Sequence, residues 1–138
     1  MPDPFLQYCD FDLEYERCVQ AAEFHQASVW RQERHLFLKC EESGGRTFLA
    51  RIDCNGYPDE LPEVTFLNPA SKQPTADLTL WPPCLPPIQG PEGLGACVNG
   101  TRTYAMHHLE SFVKHGICVL VENLILCCRG LPITTKRR

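Results

Sequence analysis

No apolar run in the 138 residues comes near the ~20 that a bilayer-spanning helix needs, so a membrane protein is not expected. A secretory leader is not expected either, because Met1-Pro2-Asp3-Pro4 is acidic and proline-bearing. Positive charge is short: 13 Lys and Arg stand against 17 Asp and Glu, a net charge of −4. That argues against nucleic acid as a partner, and Lys136-Arg137-Arg138 is too short a basic tail to reverse it. Glycine-rich phosphate loops and Ser-His-Asp order signals are missing. So are cysteine pairs two to four residues apart, the mark of a structural zinc site. These absences predict a cytoplasmic protein with no metal or organic cofactor of its own. The length fits one domain over 1–138, with 1–10 and 131–138 as flexible tails.

What the chain has in plenty is cysteine, nine in all, and proline, twelve. In a reducing compartment a disulfide framework is a poor reading, and an odd count would leave one thiol over. Free cysteine is a small, well-buried hydrophobe, which accounts for most of the nine. A zinc site assembled from Cys84, Cys97, His107 and His108 is the rival chemistry, without a spacing signal behind it.

Residues 13–30 carry Tyr15, Cys18, Val19, Ala22 and Val29 at helical spacing, with Glu14, Glu16, Arg17 and Glu23 between them on the polar side. From Arg34 to Cys40 the period drops to two, and Arg46 to Cys54 resumes it beyond Glu42-Ser43-Gly44-Gly45, which predicts an antiparallel hairpin. A third strand, Glu63 to Leu67, points Val64 and Phe66 inward. Residues 81–95 hold five prolines and three glycines, too many for helix or central strand. Trp81, Leu85, Ile88 and Leu94 within it suggest a loop packed on the body. Leu109, Phe112, Val113, Ile117, Leu120, Leu124 and Cys128 form a final helical stripe, with Gly116 as a kink or break and Arg129-Gly130 as the stop. The whole reads as α+β: helices packed on an antiparallel meander, with a long proline-rich loop between.

One cysteine stands apart. Cys97 lies in Leu94-Gly95-Ala96-Cys97-Val98-Asn99-Gly100-Thr101, where small side chains at Gly95 and Ala96 leave room for an extended peptide to reach the thiol. A nucleophilic thiol needs access and thiolate support, which a loop before a helix can give. As a lone loop cysteine, it is more often only a loop residue. Of His107 and His108, adjacent on a helix, one could serve as a base near Cys97 while the other packs or caps. Arg102 and Tyr104 read either as loop anchors or as contacts to a substrate.

The stretch Tyr57-Pro58-Asp59-Glu60-Leu61-Pro62-Glu63-Val64-Thr65-Phe66 resembles the strand-entry motif of ubiquitin-conjugating enzymes, with Leu61 in place of the first proline of their pair. The order helix, meander, this motif, irregular segment, cysteine, helix follows the family from about residue 10 to 130. Cys97-Val98-Asn99-Gly100-Thr101-Arg102-Thr103-Tyr104, with His107-His108 beyond, looks most like its bacterial branch, which is associated with conjugation operons linked to phage defence. The resemblance implies the ubiquitin-conjugating fold and a Cys97 nucleophile. Cys97 would take a ubiquitin-like modifier as a thioester from an ATP-consuming activating enzyme and pass it to a target amine such as lysine. Gly95, Ala96, Arg102 and Tyr104 would then touch the modifier's tail. The family's His-Pro-Asn tripeptide is absent and the segment from Phe66 to Cys97 is long. Gln89, Asn99, His107 and His108 are the candidates for the missing asparagine's oxyanion support or for a base. A catalytically silent, protein-binding relative with the same fold is the alternative.

Overall fold

The computed structural model describes residues 10–42, 44–108 and 116–131. Helix α1, Phe11–Phe24, starts at Asp10, whose carboxylate accepts from Leu13 N at 3.2 Å, a side-chain cap of the usual kind. Its buried residues, Phe11, Glu14, Cys18 and Ala22, recur at three and four positions and make one inward stripe.

The helix ends earlier than the apolar spacing predicts. Gln26 adopts φ 60°, and the chain turns into β1, Ser28–Gln32. Val29 therefore belongs to a strand, not to a helix over 13–30. The β-branched and aromatic side chains of Ser28-Val29-Trp30-Arg31-Gln32 suit a pleated edge. The meander accordingly has four strands: β1, β2 (His35–Glu41), β3 (Thr47–Asp53) and β4 (Glu63–Leu67), each antiparallel to the next. The predicted β2–β3 hairpin is present, and so is the third predicted strand, here β4.

Alternation then assigns the two faces. Leu36, Leu38 and Cys40, Phe48, Ala50 and Ile52, and Val64 and Phe66 point at the helices and are buried. Across the other face the register sets Trp30, Phe37, Arg51 and Thr65 in one row and Ser28, Lys39, Leu49 and Leu67 in the next.

Trp81 anchors the proline-rich segment. Its ring is buried against Phe66 with centroids 5.2 Å apart, and its indole N–H donates to Thr75 O at 2.9 Å. A 3-10 turn, Leu78–Leu80, precedes it. The segment is not all loop: β5, Pro87–Gly90, and β6, Gly93–Ala96, pair as a separate antiparallel ribbon. Pro87 opens β5, a first-residue position where a missing N–H is tolerated. Leu85 is buried as expected, whereas Leu94 is 40% exposed at the ribbon's tip.

Helix α2, Arg102–His107, and helix α3, Ile117–Cys128, follow. Gly116 is the N-cap of α3 and so marks a break rather than a kink. Leu109, Phe112 and Val113 of the predicted stripe lie outside the described residues, as do most of the predicted tails. α3 is buried along most of its surface, packing on α1 and β2, and stops at Arg129 and Gly130, whose φ is +71°. No described helix is long and apolar enough to cross a membrane.

Two side-chain joints hold these layers. Glu14 on α1, read from sequence as a polar-face residue, is buried. Its Oε2 accepts from the Tyr57 hydroxyl at 2.7 Å and its Oε1 from Ile117 N, the first residue of α3, at 2.9 Å. A carboxylate at a helix start also satisfies the dipole there. At the end of the same helix, Cys127 is joined as a disulfide to Cys84 of the proline-rich segment, with Cα atoms 6.4 Å apart. The sequence reading left every cysteine reduced. This pair is 43 residues apart in the chain, so only the tertiary fold brings it together.

Candidate functional site

Cys97 follows β6 directly, in a short tight loop that leads into α2. Thr101 winds the loop up: its hydroxyl donates to Val98 O at 2.7 Å and accepts from Tyr104 N at 3.1 Å, capping α2. Val98 N donates to Ala96 O and Thr101 N to Val98 O. Gly100 supplies the left-handed residue the turn requires, with φ +105°. Every residue from 95 to 101 is buried except Cys97, which is partly exposed. The loop therefore presents one thiol on a rigid, hydrogen-bonded support.

The small residues before it have a different task from the one expected. A Cβ on Gly95 would sit 2.6 Å from Thr103 Oγ1 and 3.4 Å from Val64 O, and one on Gly90 would sit 2.4 Å from the same hydroxyl. Gly90, Gly95 and the buried Ala96 let the ribbon close onto α2 and β4, so their smallness serves packing. Thr103 in turn donates its main-chain N–H and its hydroxyl to Glu63 Oε1, at 3.2 and 2.7 Å. Burial pushes the Glu63 carboxyl above the ordinary range, and these two hydrogen bonds pull it part of the way back.

The other candidates do not converge on the thiol. Gln89 faces Leu94 across the ribbon while Pro87 faces Ala96, which sets Gln89 about 10 Å along the strand from the level of Cys97. Its amide donates to Gly90 O at 2.9 Å. His107 Nε2 lies 3.0 Å from Gln89 O, and His108 stacks on Tyr104 with centroids 4.3 Å apart. Both histidines are exposed at the far end of α2, about 9 Å of helical rise beyond its cap. Arg102 is an anchor: its N–H donates to Pro62 O, and its guanidinium reaches Glu92 at 3.3 Å and Glu60 at 3.9 Å. Asn99 is the one candidate that shares the loop, buried two residues from Cys97. Of the conceivable zinc set, Cys84 is bonded to Cys127. Among the described residues, no three His, Cys, Asp or Glu side chains are grouped to hold a metal.

Burial alone acts on the Cys97 thiol, raising it above the ordinary thiol value. Among the described residues no cation offsets that effect. The thiolate is consequently scarce at pH 7, though more nucleophilic once formed than that of an acidified thiol. Alkylation of Cys97 by iodoacetamide, followed by peptide mass spectrometry, is expected to speed up about tenfold per pH unit from 7 to 9. A plateau within that range would contradict this account.

Two recesses lie on the outer side of the sheet. One, of about 280 Å³, runs between β4, residues 74–76 and the ribbon tip, and faces Asp53, Glu63 and Glu92 against Arg51. Cys97 does not line it. The other, of about 310 Å³, is lined by Trp30, Lys39, Thr47, Leu49, Pro69 and Lys72. Next to it Trp30 stacks on Phe37, with centroids 5.8 Å apart and planes 15° from parallel. Arg31, Arg46 and Arg102 are tied to carboxylates. Lys39, Arg51 and Lys72, around the aromatic pair, have no ion pair among the described residues. The sequence reading missed this face because it missed β1. Recognising Trp30 as a strand residue would have paired it with Phe37.

Comparison with family models, curated proteins and solved structures returns no match to this chain.

Proposed function

We propose that this protein is a thiol carrier of the ubiquitin-conjugating type. The observation that carries the reading is the presentation of Cys97 as the only open side chain of an otherwise buried 95–101 loop, between a ribbon and a helix. The α+β frame is compatible with it, and so is the position of the Tyr57-Pro58 motif just before β4. The Cys97 thiolate attacks the carbonyl of a modifier's C-terminal thioester on the activating enzyme. The activating enzyme's thiolate leaves, and the modifier is held as a thioester on Cys97. An amine of the target then attacks that carbonyl, loses a proton, and expels the Cys97 thiolate. Thioesters are already reactive towards amines, so the protein's share is positioning. That share falls to the loop itself, in which Asn99 is the polar candidate, two residues along the chain from Cys97. ATP is spent by the activating enzyme, and a role in bacterial antiphage defence follows from the sequence resemblance.

The test mixes the purified protein with a ubiquitin-like modifier, its activating enzyme and ATP. A reductant-sensitive adduct on a non-reducing gel is expected. Cys97→Ala should abolish it, and Cys97→Ser should convert it to a reductant-resistant oxyester. An unchanged adduct in Cys97→Ala would remove the thiol from the mechanism.

The unpaired cations around Trp30 and Phe37 favour a second reading, a protein-binding module without catalysis. On that reading the outer sheet face takes an acidic protein segment. Trp30→Ala and Lys39→Glu would weaken partner capture at least tenfold, and Cys97→Ala would leave it unchanged.

A further inference from the structure

Two adjacent cysteines close α3, and each faces a cysteine from another element. Cys128 meets Cys40 of β2, and both side chains are shut away from water at 1% exposure. Cys127 is as deeply buried, yet its partner Cys84 is exposed on the proline-rich segment. Among the described cysteines, Cys84, Cys97 and Cys118 have any access to solvent, and of these Cys84 alone has a cysteine within bonding range. Its Cα lies 6.4 Å from that of Cys127, inside the span that a disulfide bridges without backbone movement. The prolines flanking it, Pro82-Pro83 and Pro86-Pro87, narrow the conformations the segment can take when unbonded and so keep Cys84 near its partner.

We propose that Cys84 and Cys127 form a reversible oxidation site that straps the proline-rich segment to the end of α3, with a small disulfide such as oxidised glutathione as the oxidant. In the forward direction the exposed Cys84 thiolate attacks one sulfur of oxidised glutathione. The glutathione S–S bond breaks, and one glutathione thiolate leaves and takes up a proton. The Cys127 thiolate then attacks the Cys84 sulfur of the mixed disulfide and expels the second glutathione. One protein dithiol and one oxidised glutathione become one protein disulfide and two reduced glutathiones. Reduction runs back through the same exposed sulfur, which is the reachable end of the bond. The strap matters to the rest of the molecule because residues 82–86 lead straight into β5. The partner of β5, β6, ends at Ala96, directly before Cys97. Closing the strap fixes the base of the ribbon that carries the loop.

The test uses the full chain, first reduced with dithiothreitol and then equilibrated across ratios of reduced to oxidised glutathione. It is quenched in acid, alkylated and mapped by peptide mass spectrometry. The expected result is one linked pair, Cys84 with Cys127, that forms as oxidised glutathione increases and disappears with dithiothreitol in the native protein. The oxidised form should melt about 5–10 °C above the reduced form, a difference absent in Cys84→Ser. Hydrogen exchange across residues 82–90 should slow on oxidation. Both cysteines alkylated at the most oxidising ratio, or linkage spread over Cys97 and Cys118, would overturn the proposal. A Cys84–Cys127 bond that survives dithiothreitol in the folded protein would overturn it as well, since the bridge would then be permanent.

Discussion

Raising the pH from 8 to 10.5 under reducing conditions is expected to remove about 5 kcal/mol of folding stability, from two buried thiols alone. Cys18 on α1 and Cys54 beyond β3 are fully buried. Burial raises both, further aided by the carboxylates nearby: Glu14 for each thiol, and Asp53 for Cys54. Cys54 is pushed up to about 12, and Cys18 is raised beyond the usual range. In the unfolded chain both ionise near the ordinary value of ~8.5. The sign follows: a group raised in the folded state contributes its full stability below its unfolded value and loses it as pH climbs towards the folded one. Between those limits each thiol costs about 1.4 kcal/mol per pH unit. The Cys40–Cys128 pair splits: Cys40 is lowered, chiefly by Cys128 and with help from Arg129, while Cys128 is raised, so their contributions partly offset. Urea midpoints at half-unit pH steps provide the measurement. Cys54→Ala should cut the slope above pH 9 by roughly half, whatever it does to stability at pH 7. A flat profile from 8 to 10.5 would refute the burial argument.

Glu14→Ala is expected to destabilise the protein by about 3 kcal/mol at pH 7. Two hydrogen bonds to a charged acceptor end together, one from the Tyr57 hydroxyl and one from the N–H that opens α3. The buried N–H of Ile117 is then left without its acceptor, which is the expensive half of the loss. Glu14→Gln keeps one acceptor oxygen and the volume, and should cost about 1 kcal/mol. Tyr57→Phe alone should cost about 1.5 kcal/mol and less on top of Glu14→Ala, because the Glu14 acceptor is already gone. Chemical denaturation of the four proteins in that cycle checks it. Additive costs would mean that the Tyr57–Glu14 bond contributes no stability of its own.

How much of this could be read in advance depended on whether the cause was local. The β2–β3 hairpin follows from two runs of alternation around a turn, and it sits where the sequence puts it. α1 is partly legible: Val29 falls in phase with the helical stripe and carries the reading past the real end. The break at Gln26 uses a left-handed residue without glycine to announce it. The prolines correctly exclude a central strand over 81–95. They do not exclude a two-stranded ribbon, because Pro87 occupies a place where no ladder donor is needed. At the site, the sequence singled out Cys97 and the small Gly95-Ala96 pair before it. The reason for Gly95 was hidden, since the colliding hydroxyl belongs to Thr103 on another element. Glu14 and the Cys84–Cys127 pair were the least visible. Their partners stand 43 to 103 residues away, and no spacing rule reaches that far.

The order of the four main strands has a consequence for synthesis. β1 to β4 pair strictly with their chain neighbours, so the sheet can assemble from local contacts as the chain emerges. Its inner face, from Leu36 through Phe66, is then complete while Ile117–Cys128, the helix that covers much of it, is still inside the ribosome. A nascent chain halted near residue 108 would hold a finished sheet with its apolar side open to water. Chaperone demand should therefore peak in that window and fall once α3 has docked and Glu14 has taken hold of its first residue.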